Sequence, residues 1–138
     1  QYLRDYPSVT LLRGATHALM QHAHSAVVAS GTATVETAYY ETPMVVVYRA
    51  STLNYAIGRR LIRVDNIAMV NILAGRRIVP ELLQSDVTAE YISRYMSHYF
   101  SDSTHYEQTR RELGRVKDKM GTAGASARVA GLLAQLIG

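Results

Sequence analysis

The sequence predicts an α/β fold, a parallel sheet flanked by helices. Three observations carry that expectation. The run Ala26-Val27-Val28-Ala29 is apolar, β-branched at its centre and too short for a helix. The run Met44-Val45-Val46-Val47-Tyr48 is apolar at every position, as a strand covered on both faces requires. Between them lies a stretch of helical spacing, entered through Ser30-Gly31-Thr32. Strand, turn, helix, strand is the repeating unit of parallel sheets. Ligands of such sheets bind beyond the carboxyl ends of the strands, and the turn at Ser30-Gly31 is such an end.

Taken in order, residues 1–6 read as the end of a helix that Pro7 closes. Val9, Thr10, Leu11 and Leu12 read as a short strand, ended by Arg13-Gly14. Residues 15–23 suit a helix, with Ala15, Ala18, Leu19 and His22 at helical spacing. After the strand at 26–29, a helix begins near Thr32 with Val35, Ala38 and Tyr39 on one face, and Thr42-Pro43 stops it. Residues 51–62 suit an amphipathic helix capped by Ser51 or Thr52. Residues 64–70 read as another short strand, broken at Asp65-Asn66, and residues 71–77 as a loop or short turn. Pro80 at a first helical position, followed by Glu81, predicts a brief helix over 81–84. Residues 86–88 cap a longer helix over 89–100, in which Tyr91, Tyr95 and Tyr99 recur as a packing stripe. Breaks near Asp102-Ser103 and between Gly121 and Gly124 divide the last third, which ends in an Ala- and Leu-rich helix over Ala125–Ile137.

The 138 residues suffice for one compact core, and 48% of them are hydrophobic, which argues against disorder. No apolar run approaches bilayer length. The absence of cysteine excludes disulfides, thiolate catalysis and cysteine metal sites. A formal charge of +4 favours anionic partners: nucleotides, nucleic acid or anionic lipid surfaces. The chain opens on Gln1 rather than Met, which suggests a piece of a longer protein. Residues 1–138 read as one lobe, with 89–138 its helical part. His98, Asp102 and His105 have ligand-like spacing, but the break at Asp102-Ser103 spoils it, and no metal site is expected there. Arg110, Arg111, Arg115, Lys117 and Lys119 read as a solvated helix face, offset by Glu107, Glu112 and Asp118.

The turn carries the chemistry. A helix start leaves its first backbone N–H groups unpaired and partly positive. Small residues there let an anion approach closely, which suits a phosphate or diphosphate. Ser30, Gly31, Thr32 and Ala33 are all small. Glu36 lies one turn beyond Thr32 on the same face; its carboxylate suits sugar hydroxyls rather than phosphate. Each feature also has a plain structural reading: an ordinary capped helix for the turn, a solvated carboxylate for Glu36, and an exposed strand end for Arg49. Tyr55, Ile57, Arg59, Arg60 and Leu61 mix apolar and basic residues, as a helix against an anionic membrane or acyl chains would, or as a helix with its basic face in water.

Two blocks narrow this further. The first runs Val28-Ala29-Ser30-Gly31-Thr32-Ala33-Thr34-Val35-Glu36 and continues at Thr42-Pro43-Met44-Val45-Val46-Val47-Tyr48-Arg49. The second is Asn71-Ile72-Leu73-Ala74-Gly75-Arg76, followed by Ile78-Val79-Pro80-Glu81-Leu82-Leu83-Gln84. Their order and spacing resemble the C-terminal half of the bacterial lipid-A-disaccharide synthases, over nearly the whole chain. The resemblance implies a Rossmann-like lobe of a two-lobed GT-B glycosyltransferase, with extra C-terminal helices. It implies transfer of a diacylated glucosamine from UDP to a lipid-linked glucosamine 1-phosphate, giving the lipid A disaccharide, with UDP as leaving group. It implies a lobe that holds the nucleotide, a separate N-terminal lobe that supplies the acceptor site and general base, and no cofactor. No catalytic residue is expected in this chain, and no Asp-x-Asp pair is present, in keeping with a metal-independent site.

Residue by residue, the resemblance puts Ser30, Gly31, Thr32 and Ala33 on the diphosphate, and Glu36 on the ribose. It puts Asn71 and Gln84 near the nucleotide, each also readable as a structural loop residue, and lets Arg49 add charge to the diphosphate. Val70 stands where the family usually has Pro. The location implied is cytoplasmic, peripheral at the inner face of the inner membrane, with an anionic membrane surface as partner, possible self-association and no role for nucleic acid. Two rivals stand beside this: a sugar-nucleotide epimerase of the same architecture, and a non-catalytic basic module that binds RNA or a membrane.

Overall fold

The computed structural model describes residues 8–49, 66–121 and 124–137. The helix expected over 51–62, and with it Tyr55, Ile57, Arg59, Arg60 and Leu61, lies outside the described residues, as does the segment 1–6.

The elements run α1 (Thr16–His22), β1 (Ala26–Ala29), α2 (Thr32–Tyr39), β2 (Met44–Tyr48), α3 (Met69–Ala74), β3 (Glu81–Leu83), a 3-10 turn (Gln84–Asp86), α4 (Ala89–Ser101), α5 (Ser103–Lys119) and α6 (Ala125–Ile137). The three strands form a parallel sheet in the order β1-β2-β3. Helices cover both faces, so the Rossmann-like α/β arrangement expected from the sequence is present.

β2 is the central strand and alternates its side chains between two cores, as the period of a strand dictates. Met44 and Val46 join Val28, Ala38, Ala68, Val70, Val79, Leu113 and Val116 on the face covered by α2, α3 and α5. Val45 joins Leu82 and Tyr99 on the opposite face, with Val47, Ile92 and Met96 packed against them under α4. Burial on both faces explains why the sequence of β2 lacks polar alternation. Each of the larger of these buried side chains, the Val, Leu and Met residues, contributes on the order of 1.5–3 kcal/mol by removal from water. Tyr99 also donates its hydroxyl to Met44 O at 3.0 Å, tying α4 to the start of β2. Burial raises the pKa of that phenol. Of the tyrosine stripe only Tyr99 enters the core; Tyr91 and Tyr95 remain exposed.

Helix ends follow local chemistry. Thr88 caps α4 by accepting from Tyr91 N, and Asp102 caps α5 by accepting from His105 N. The basic face expected on α5 is partly engaged: Lys117 and Arg110 pair with Glu41 after α2, and Arg115 and Arg76 pair with Glu112.

Four expectations are corrected. Val9, Thr10, Leu11 and Leu12 form no strand; Val9, Leu11 and Leu12 are exposed, and among the described residues no strand lies beside them to complete a ladder. Residues 66–70 form no strand either: Ala68 caps α3, which takes in Met69 and Val70. Residues 71–74, expected as loop, are the rest of that helix, which Gly75 ends in a left-handed conformation. The brief helix expected over 81–84 is strand β3, because residues 81–83 pair with Val46, Val47 and Tyr48. Pairing to a central strand overrides the local signal of Pro80.

Candidate nucleotide-binding site

The register aligns the strand ends. Ala29 stands opposite Val47, and Tyr48 opposite Leu83. The residues that follow, Ser30, Arg49 and Gln84, therefore lie along one carboxyl edge of the sheet. Ser30 N still donates to Val47 O at 2.9 Å, so the turn into α2 is anchored to the sheet up to its first residue.

Gly31 makes the turn. Its backbone sits at φ 149° and ψ −161°, a region open to glycine and strained for other residues. A Cβ built there would meet nothing within 4 Å, so backbone geometry, not crowding, demands the glycine. Among the described residues nothing fills the space above the turn. Gly31 is also the cap of α2, and among the described residues no side-chain hydrogen bond caps the first turn. Thr34 turns its hydroxyl back to Gly31 O at 2.8 Å, away from that opening. Thr32 is exposed and Ala33 half-buried. The result is an uncapped helix start with small side chains around it, which offers fixed donors to an anion.

Glu36 is exposed one turn along α2 and has no ion pair among the described residues. It borders an open groove of about 340 Å³ lined by His17, Val35, Tyr39, Tyr40 and Met120. Arg49 is exposed, donating Nε to Gln84 O at 3.4 Å and Nη2 to Val87 O at 3.2 Å. Those bonds tie the end of β2 to the turn after β3. Gln84 adopts a left-handed conformation at φ 50° and is half-buried.

Asn71 is different. Its side chain is fully buried. Nδ2 donates to Val79 O at 2.9 Å and to Glu81 Oε1 at 2.7 Å, while Oδ1 accepts from Ile78 N at 2.9 Å and Val79 N at 3.1 Å. Its two donors and two acceptor positions are thus all used inside the protein. Of its two sequence readings, the geometry matches the structural one.

Sequence reasoning missed Glu81. Its buried carboxylate accepts from Asn71 and, through Oε2, from Ile67 N at 2.8 Å. Only the strand assignment of β3 would have flagged it, since a buried Glu inside a strand is out of place without partners. Among the described residues no group of three or more His, Asp and Glu side chains forms a metal centre. Asp102 is used as a helix cap: the His105 backbone N–H lowers its pKa, with His98 nearby at 3.9 Å. No described helix is long and apolar enough to cross a membrane.

The open helix start, the carboxylate one turn on, and the aligned strand ends fit a nucleotide site. The family model described as Lipid-A-disaccharide synthetase matches residues 4–132. The lipid-A-disaccharide synthase of Geobacter metallireducens is 44% identical over 130 residues, 94% of this chain and 34% of that protein. That of Geobacter sulfurreducens is 43% identical over the same shares, and that of Syntrophus aciditrophicus 43% identical over 96% of this chain and 35% of its own length. The chain thus spans about a third of the length of these curated relatives. No solved structure matches it. With the matched residues running through the Gly31 turn, the central strand, Asn71 and β3, the chain belongs to the lipid-A-disaccharide synthase family.

Proposed function

We propose that this chain is the nucleotide-sugar-binding lobe of a glycosyltransferase of lipid A assembly. Its donor is a UDP-linked diacylated glucosamine and its acceptor a lipid-linked glucosamine 1-phosphate. The single observation that carries the reading is the uncapped start of α2, open above Gly31 at the carboxyl end of β1.

Transfer makes UDP a leaving group, and negative charge grows on its diphosphate as the glycosidic bond breaks. The N–H groups of Thr32 and Ala33, with the helix dipole behind them, stabilise that charge more in the transition state than in the ground state. Ser30 lines the turn with a small side chain, and Arg49 at the neighbouring strand end adds a charge-assisted donor. Glu36 accepts from the ribose hydroxyls. Asn71 acts from below by holding the turn between α3 and β3, and Gln84 lies at the edge the nucleotide crosses. General base and acceptor site belong to a second lobe, and the whole protein sits at the inner face of the inner membrane.

Titration of the full-length protein with UDP, and with ADP as control, tests the reading. Selective UDP binding that Glu36→Ala weakens about tenfold without loss of fold is the expected result. Equal affinity for the two nucleotides, or an unchanged affinity in folded Glu36→Ala, overturns it.

A further inference from the structure

A chain of hydrogen bonds links β3 to the candidate anion turn. Ile78 N and Val79 N both donate to Asn71 Oδ1, and this fixes which way the Asn71 amide points. Its NH2 group must then face Val79 O and Glu81 Oε1. The other oxygen of Glu81 receives Ile67 N at 2.8 Å. Position 81 therefore has to accept at both tips. A glutamine of the same shape would present an N–H group to another N–H at one of them. The carboxylate is buried, and among the described residues no cation pairs with it. An apolar residue would serve packing at this buried strand position with lower desolvation cost. What the charge holds is the backbone of Ile67, whose carbonyl accepts the Ser30 hydroxyl at 3.5 Å, the outer limit of a hydrogen bond.

We propose that Glu81 is a positioning residue for the diphosphate turn, acting through the Ile67 backbone on Ser30. This rests on the nucleotide-lobe reading above. Glu81 touches no ligand; it sets where the Ile67 carbonyl stands. That carbonyl in turn accepts the Ser30 hydroxyl proton in a hydrogen bond and so anchors the Ser30 end of the turn, leaving the backbone N–H groups to meet the diphosphate.

The test uses the full-length protein, with UDP and uridine as probes and calorimetry as readout. Glu81→Gln lowers UDP affinity about tenfold and leaves uridine, which lacks the diphosphate, unchanged. In a Ser30→Ala background the same substitution has little further effect, because both act at one point. Equal losses for UDP and uridine, or additive losses in the cycle, overturn the proposal while the wild-type preference for UDP still supports the lobe. A wild-type protein without that preference overturns both. Should Glu81→Gln fail to fold, the side-chain amide signals of Asn71 decide, in protein labelled at asparagine. They shift on UDP saturation of the wild type and stay still in UDP-bound Ser30→Ala; immobile signals in the wild type sink the proposal.

Discussion

Replacing Gly31 by alanine isolates the backbone of the anion turn from its packing. A Cβ at this position meets nothing within 4 Å, so no clash contributes. The whole penalty comes from φ 149° and ψ −161°, where a non-glycine residue costs of order 1–3 kcal/mol. That strain has two outlets. If the sheet and α2 hold the turn, it appears as lost stability. If the turn relaxes, stability survives, but the N–H groups of Thr32 and Ala33 swing off target and UDP affinity falls, by about tenfold for each 1.4 kcal/mol. Gly131 gives the matched control: it also has open space around a Cβ but lies inside α6. Gly131→Ala therefore stabilises, by about 0.5–1 kcal/mol. Urea unfolding and UDP titration of both variants give the two outlets separately. The losses in Gly31→Ala must total at least about 1 kcal/mol. A variant that matches the wild type in both refutes the claim that backbone geometry makes this turn.

Asn71→Ala strands Glu81 Oε1, Ile78 N, Val79 N and Val79 O in the interior, and the expected loss is about 3 kcal/mol or more by urea unfolding. Tyr99→Phe removes only the hydroxyl that reaches Met44 O, so unfolding should register about 0.5–1.5 kcal/mol, with the aromatic packing kept. The Asp102 carboxyl has its pKa lowered chiefly by the His105 backbone N–H, so its cap stabilises α5 above the ordinary carboxylate range and is lost as pH falls through the depressed value. Helicity followed below about pH 4 should show an acid-side loss that Asp102→Asn, which caps without titrating, removes; an identical acid profile in the variant would count against the cap.

The elements legible in the sequence are those whose signal is local. β1 and β2 match their apolar runs at both ends; β2, buried on two faces, has little freedom in composition, whereas β1 buries only Val28 and leaves Val27 and Ala29 exposed. The starts of α2 and α6 follow their glycines, and Asp102 marks the break between α4 and α5. Pro80-Glu81 misled because its helix-start signal concerns the backbone alone, whereas the pairing of residues 81–83 with β2 is a tertiary fact. The site divides the same way. Gly31 and Glu36 could be read from strand, turn and helix order. The burial of Asn71 could not, since its partners at 78, 79 and 81 are set by the register of β3. Val9, Leu11 and Leu12 show the converse: a β-prone run stays irregular where, among the described residues, no ladder adjoins it.

The polar network around Asn71 also bears on the order in which the chain assembles. Asn71 and Glu81 are 10 residues apart, whereas Glu41 and Lys117, which tie α5 to the end of α2, are 76 apart. Closing the longer loop costs about 2 kcal/mol more in chain entropy. The turn between α3 and β3 is therefore cheap to form early, and α5 docks onto a sheet already bracketed by its own short-range bonds. In pulse-labelled hydrogen exchange during refolding, the amides of Ile78 and Val79 should gain protection before those of α5, and the reverse order would contradict this. A chain that forms this sheet edge before its outer helices dock keeps the register of that edge independent of how the rest of the protein packs on it.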